Sequence, residues 1–385
     1  MKKKTLGLFL VLAMSASLLA GCTKAEGDGG SASDIISQPI VTVVDDPETG
    51  DADGDVAGVD VPGNLGPVTI LKNEDAPDGY YYSELSGELI DISLKNQRPI
   101  AVMVDNEITA LDHFGINDAD IVYEAMNSTA NGRITRLMCL VKDWGKITQF
   151  GSVRSARTVN MMLSAEWNAV LCHDGGPIYI TEYYSYPEVA HLNGVFSRID
   201  NGKAREFTEY VTGGDLEKYM TGAYKEYNDY YTGEHFTFVE NRAMESGAFK
   251  TDDAVAVKDI ILPFPHNKSE LHYNESTGLY EYSEYGKEHV DGATGEVLAF
   301  KNVILCGMDY AEYDSNGYLM YMMIDKTNVG WYLTDGKAIP ILWAKGGFAD
   351  NMTFKDFEGN DIVLNQGHTY IGLVPSDVWG ELSLK

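Results

Sequence analysis

Arg98-Pro99-Ile100-Ala101-Val102-Met103-Val104-Asp105-Asn106 is the stretch on which the fold turns. Its apolar run is too short for a buried helix and lacks the alternation of a strand with one wet face. Such a run, bounded by proline and aspartate, fits a strand buried on both faces of a covered sheet. Working outward, residues 121–125, 134–141 and 147–153 predict further strands. Between 156 and 167 the period changes. Ala156, Val159, Leu163 and Trp167 share one helical face, Asn160, Ser164 and Glu166 fall largely elsewhere, and Ser155 sits where an N-cap belongs. Residues 169–172 return to strand, and 215–227 predict a second helix. The segment 67–240 therefore reads as a mixed α/β domain.

From about 250 the texture changes again. Short alternating or β-branched runs at 255–261, 296–305, 318–324, 330–333, 339–343, 361–364 and 370–374 are separated by turn signals. These include Asp291-Gly292, Asn316-Gly317, Asp335-Gly336 and Glu358-Gly359-Asn360. Segment 241–385 is expected to be a smaller, β-rich, mostly antiparallel domain, which makes the chain α+β as a whole.

The start of the chain gives an address. Lys2, Lys3 and Lys4 precede a largely apolar run that ends in Leu19-Ala20-Gly21-Cys22. That run is short for a membrane-spanning helix and has the order of a secretory signal. The small-residue site ending in cysteine is similar to that of bacterial lipoproteins, with 1–21 as signal peptide and Cys22 as the lipidated mature N-terminus. The expected location is the cell membrane, facing outside the cytoplasm, with the bilayer as partner through acylated Cys22. Removing 1–21 leaves 364 of 385 residues and takes three lysines and no acid, so the formal charge moves from −29 to −32. Nucleic acid is excluded as a partner, because phosphates require a basic footprint. Residues 22–66 carry ten acids and one lysine, without an aromatic. They read as a flexible acidic tether, too poor in apolar surface to fold. Cys139, Cys172 and Cys306 each lie in an apolar run, and no Cys-x-x-Cys spacing occurs. Buried free thiols are expected, with no disulfide framework and no zinc site of cysteines.

Positive charges are few, so their placement is informative. Arg133 and Arg136 lie in Gly132-Arg133-Ile134-Thr135-Arg136; Arg154 and Arg157 lie in Gly151-Ser152-Val153-Arg154-Ser155-Ala156-Arg157. The second motif falls where a strand meets a helix start, a place that favours anions, and arginine adds bidentate recognition of carboxylate or phosphate. Arg133, Arg136, Arg154, Ser155 and Arg157 are therefore candidate ligand-binding residues. The alternative is ion pairing of these arginines with Asp105, Asp120 or Glu124.

Cys172-His173-Asp174-Gly175-Gly176-Pro177 follows a strand, where loops of open α/β sheets face a ligand crevice. His173 is a ligand-binding candidate and a candidate general base with Asp174 orienting it. The competing reading is a sharp turn with His173 as its shoulder. Neither a Gly-x-Ser-x-Gly elbow nor a His-Glu-x-x-His motif appears. His289-Val290-Asp291-Gly292 offers two metal ligands, too few for a site, so no metal and no cofactor are expected. The tyrosines at 183, 184, 186, 224, 227, 230 and 231 could stack on sugar rings; amphipathic packing explains them as well.

Together these segments resemble the YerB-like bacterial lipoprotein family, built on the domain of unknown function 3048. The resemblance is carried by 98–106, by Ala119-Asp120-Ile121-Val122-Tyr123-Glu124, by the two arginine motifs and by His173 with Gly175-Gly176. In the second half it is carried by His289-Val290-Asp291, Asn302-Val303, Gly330-Trp331, Asp335-Gly336-Lys337, Trp343 and Gly367-His368-Thr369-Tyr370. It spans roughly 95–378 and implies a membrane-anchored lipoprotein of N-terminal and C-terminal units, with no established reaction. Ser152 and Tyr370 depart from the family's usual proline and tryptophan. A Tyr-x-Arg usual before the His-x-Asp segment is also missing. A looser pattern, Asp120 followed by Arg136, Arg154 and Arg157, looks like the LytR-CpsA-Psr phosphotransferases, which hold a polyprenyl pyrophosphate with arginines. The expected function is binding of an anionic envelope ligand or an envelope protein. An envelope phosphotransferase or hydrolase using Asp120, His173 and Asp174 with the arginines is the alternative.

Overall fold

The computed structural model describes residues 40–41, 69–240 and 254–385. The expectations for the signal peptide, Cys22 and most of the tether lie outside the described residues.

Residues 98–106 do form the strand that organises the molecule. β1 (Ile100–Asp105) is buried at every position. Ile100, Val102 and Val104 enter one core, and Ala101 and Met103 enter another on the opposite face. The absence of polar alternation has its cause here, since both faces of the strand are covered. Burying each of its larger aliphatic side chains contributes roughly 1.5–3 kcal/mol.

β1 belongs to an eleven-stranded mixed sheet. The other strands, in chain order, are β2 (Ile121–Met126), β3 (Thr135–Val141), β4 (Val170–His173), β5 (Ala190–Asn193), β6 (Val255–Ala256), β7 (Asn302–Met308), β8 (Lys326–Thr334), β9 (Lys337–Lys345), β10 (Thr353–Lys355) and β11 (Thr369–Pro375). Their order is β6-β9-β8-β7-β11-β2-β3-β1-β4-β5, with β10 also on β9. Asp335-Gly336 makes the β8–β9 turn as the sequence predicts. Both residues have positive φ, 51° and 70°, the geometry that twists two strands into a tight hairpin.

The two sequence halves meet inside this sheet. β11 pairs in parallel with β2, placing Thr369 opposite Ile121 and Leu373 opposite Ala125. Segments 67–240 and 241–385 therefore interlock through a shared sheet and shared cores. A second sheet covers one face, formed by Ile40–Val41, Ser383–Leu384, Asp259–Ile261, Glu270–Asn274, Leu279–Glu284, Lys287–Glu288 and Ala299–Phe300. Its Ile260, Leu271, Tyr280 and Leu384 pack into the core of Val102 and Cys139. The other face is covered by α1 (Thr158–Glu166), whose Val159 and Leu163 pack with Met103 and Leu140.

α1 starts two residues later than Ser155 as N-cap requires. The Arg157 N–H donates to Asn160 Oδ1 at 2.7 Å, so the cap is Arg157 and Ser155 lies outside the helix. Trp167 closes the helix and Asn168 follows at φ 51°, the left-handed residue that commonly ends one. Asn160, Ser164 and Glu166, placed by the pattern on a wetter side, are buried too. The predicted helix at 215–227 is the shorter α2 (Gly213–Tyr219). Strand 147–153 contracts to Gln149–Gly151, in a small sheet with Ser197–Arg198 and Glu209–Thr212. Cys139, Cys172 and Cys306 are buried and free, and burial pushes all three thiols up.

Candidate functional site

Three of the four singled-out arginines come together where β1 ends and β3 begins, beside the segment leading into α1. Asp105, the last residue of β1, faces Arg136 on β3. The Arg154 backbone N–H donates to Met103 O at 2.9 Å, which fixes that segment along β1. Gly151 makes the approach possible. Its φ is 137°, and a Cβ there would sit 2.8 Å from Val153 N. Arg136 Nη1 donates to Ser155 O at 2.7 Å, so Ser155 contributes its carbonyl where a helix cap was expected of it.

Charge is not balanced in this cluster. Arg154 is held by two carboxylates, Asp105 with Nε–Oδ2 at 2.9 Å and Glu206 at Nη2, and its guanidinium lies over the Phe207 ring. Arg157 donates to the Asn127 and Ala156 carbonyls at 3.3 and 2.9 Å and lies over Tyr318, 5.0 Å from the ring centre. Neither Arg136 nor Arg157 has a carboxylate partner among the described residues. Burial, with repulsion among the three cations, lowers Arg136 to about 9 and Arg157 to about 10. Both remain cationic at neutral pH. Of the alternative partners considered from sequence, Asp105 is therefore realised, on Arg154 alone.

Arg133 does not join them. Its Nη2 pairs with Asp377 at 2.7 Å and donates to Tyr310 OH at 2.9 Å, tying the β2–β3 connection to the chain's C-terminal segment. Asp120 is also elsewhere. It precedes β2, where Ile121 faces Leu140, whereas Arg136 faces Ala125. Five residues of strand separate the two levels, about 16 Å. Asp120 instead accepts the Lys142 N–H at 2.7 Å, and burial raises its carboxyl to about 6.

The 173–176 loop abuts the cluster, with Ala156 N donating to Gly175 O at 3.1 Å and Asp174 N donating to Arg154 O at 3.1 Å. The expected His173–Asp174 dyad is not formed. His173 Nδ1 donates to Gly175 O at 2.8 Å, which leaves Nε2 to accept from His191 Nδ1 at 3.2 Å. Asp174 turns away to Arg198, at 2.8 Å, which also pairs with Glu209. The reason is electrostatic: a nearby guanidinium outcompetes a buried neutral imidazole for a carboxylate. Burial lowers His173 to about 4. A histidine depressed in this way favours the fold fully above the unfolded value near 6.5, and that contribution is lost as pH falls toward 4. The His173 ring is thus expected to stay neutral at pH 6 in a 13C-imidazole NMR titration. A midpoint near 6.5 would contradict its burial.

Five of the singled-out tyrosines pack on one another or on neighbouring rings, Tyr186 against Tyr183 and Phe348 among them, while Tyr230 is exposed. Tyr183 stacks on Phe348, Tyr184 on His191 and Tyr227 on Tyr231, with ring centres 5.4, 4.0 and 3.9 Å apart. Sequence reasoning weighed Asp105 only as an ion-pair partner. Its position at the end of the buried strand was the signal that it borders the site.

A mixed sheet built from both halves of the chain is the frame that carries the arginine cluster. The chain belongs to the DUF3048 family, described as proteins of unknown function. The family's N-terminal domain matches residues 85–227 and its C-terminal domain matches 260–371. It is similar to "Putative lipoprotein YerB" of Bacillus subtilis (strain 168), 22% identical over 322 residues, covering 76% of this chain and 85% of that protein. The crystal structure of YerB protein from Bacillus subtilis has the same fold, with a TM-score of 0.65 at 20% identity. That match covers 79% of this chain and 99% of the other.

Proposed function

We propose that this chain is an extracytoplasmic lipoprotein, anchored through acylated Cys22, that binds an anionic cell-envelope ligand at Arg136, Arg154 and Arg157. The single observation that carries the binding reading is the pair of guanidiniums, half-buried Arg136 and buried Arg157, without a carboxylate partner among the described residues. Each retains N–H donors in a planar fork suited to phosphate or carboxylate. The anchor is supported by the lipoprotein name of the Bacillus subtilis relative and by the Leu19-Ala20-Gly21-Cys22 site. No helix among the described residues is long and apolar enough to cross a membrane.

Binding is favoured over turnover by the placement of the acids. A phosphotransferase of the weighed pattern needs Asp120 beside the arginines, and Asp120 is about 16 Å along the sheet. Asp105, which is beside them, already neutralises Arg154. Arg136→Gln with Arg157→Gln keeps hydrogen-bond donors while removing both charges. Envelope extract passed over immobilised full chain should leave bound phosphorus on the wild type and little on this double variant. Equal retention by both proteins would reject the site.

A further inference from the structure

The buried polar layer between the main sheet and the second sheet holds two histidines whose nitrogens are not all used. His113 follows β1 in the first half of the chain; His289 lies in the second half, after Leu279–Glu284. Both rings are buried, at 0% and 2% exposure, and their centres are 4.8 Å apart. His113 Nε2 lies 2.6 Å from the Asp105 backbone carbonyl. A carbonyl can only accept, so Nε2 carries the proton and Nδ1 presents a bare lone pair. His289 Nδ1 lies 2.9 Å from Glu284 Oε1, so these two atoms face one another as a ready pair of ligand atoms. Neither His113 Nδ1 nor His289 Nε2 has a hydrogen-bond partner.

Buried acceptors are ordinarily satisfied, and the bare His113 Nδ1 beside the His289–Glu284 pair calls for an occupant. The surroundings specify its chemistry. His113, which donates its second N–H to a carbonyl, is oriented as metal-ligating histidines are. His113, Glu284 and His289 each offer a ligand atom, and these atoms lie within 4.8 Å of one another. Tetrahedral zinc needs donors roughly 3.3 Å apart; it would replace the proton between His289 Nδ1 and Glu284 Oε1, which leaves to solvent, and closing the shell asks for a side-chain movement of up to about 1.5 Å. Two nitrogens and one carboxylate oxygen suit Zn2+ and leave a fourth position for water.

From this geometry we infer that His113, Glu284 and His289 form a zinc site that staples the two halves of the chain together. The neighbouring carboxylate already does so without metal. Asp291 Oδ1 accepts Gly115 N at 3.2 Å and Asp291 Oδ2 accepts Asn117 N at 3.0 Å. The inference departs from the expectation of no metal, which counted only His289 and Asp291 as ligands and rejected them as too few. Asp291 is spent on the backbone, and the missing ligands come from Glu284 and, 176 residues away, from His113.

The test uses the purified full chain, stripped with chelator, dialysed and titrated with zinc chloride. The expected result is one zinc per chain that survives dialysis, with a rise in melting temperature. His113→Ala and His289→Ala should each lose that zinc and the rise. A chain of formal charge −29 also attracts divalent ions weakly, so the reading is the difference between wild type and variants. Zinc retained equally by both variants, or none retained by the wild type, would overturn the inference. Should either variant fail to fold, X-ray absorption of the zinc-loaded wild type decides. Two imidazoles in the zinc shell support the site, and a shell of oxygen alone rejects it.

Discussion

Lys345→Ala is expected to destabilise the fold by about 3–5 kcal/mol, with little change on the surface of the protein. Lys345 ends β9 and Glu166 ends α1; their side chains are 0% and 1% exposed and 2.7 Å apart. The pair stitches the helix to the sheet at a point where neither charge can reach water. Glu166 also accepts the Met352 N–H at 3.1 Å, and Lys345 donates to the Asp350 carbonyl. Burial already raises the Glu166 carboxyl. Without the ammonium it must either stay charged in an apolar setting or take up a proton. The loss should therefore be smaller at pH 5 than at pH 8, because protonation relieves the uncompensated charge. Replacing both residues, Glu166→Leu with Lys345→Met, should recover most of the stability, since an apolar pair of similar volume removes the desolvation cost. Urea unfolding at the two pH values measures this, with an unchanged slope as the check that the same transition is followed. A loss under about 1 kcal/mol for Lys345→Ala at pH 8 would contradict the burial of the pair.

Glu124→Leu should cost a similar amount, about 3–5 kcal/mol, for a different reason. Glu124 on β2 is fully buried and accepts four hydroxyls. Thr135 and Ser269 donate to Oε1 at 2.6 and 2.7 Å; Tyr282 and Tyr370 donate to Oε2 at 3.0 and 2.6 Å. Thr135 and Tyr370 belong to β3 and β11 of the main sheet, Tyr282 to the second sheet and Ser269 to the residue before its Glu270–Asn274 strand, so one carboxylate ties the two sheets together. Leucine of similar volume leaves buried O–H groups without acceptors. Tyr282 and Ser269, already 3.0 Å apart, can satisfy each other in part. Glu124→Gln should cost about 1–2 kcal/mol, because its carbonyl keeps accepting and the hydroxyls rotate to meet its amide. Equal stability of the Leu and Gln variants in the same unfolding assay would show that the hydroxyl cage contributes nothing.

Both predictions depend on features that sequence reading reaches unevenly. β1, β2, β3 and β4 were legible because strands buried on both faces leave continuous apolar runs. The Asp335-Gly336 hairpin was legible because positive φ at two successive residues selects such a pair. The shared sheet was not. β2 and β11 pair across nearly 250 residues, and a parallel pairing of that span leaves no local mark on either strand. The same limit governs the site. Arg154 and Arg157 were recognisable from their place at a strand-to-helix junction, and Arg136 from its scarcity in an acidic chain. Arg133 looked equivalent until its partner, Asp377, proved to lie 244 residues away. His113 carries no spacing signal at all, since its companions are Glu284 and His289. Side chains whose roles are set by distant chain segments stay silent in a single sequence.

Anion binding at Arg136, Arg154 and Arg157 carries the proposed function. Calorimetric titration of the full chain with inorganic pyrophosphate, in parallel with the Arg136→Gln, Arg157→Gln double variant, tests it most directly. The two lost charge-assisted contacts contribute about 1.5–3 kcal/mol each, so affinity should fall by roughly 100-fold or more while circular dichroism shows the same fold. Saturable one-to-one binding by the wild type and its loss in the folded double variant are the predicted results. No binding by the wild type, or equal affinity in both proteins, would contradict the account.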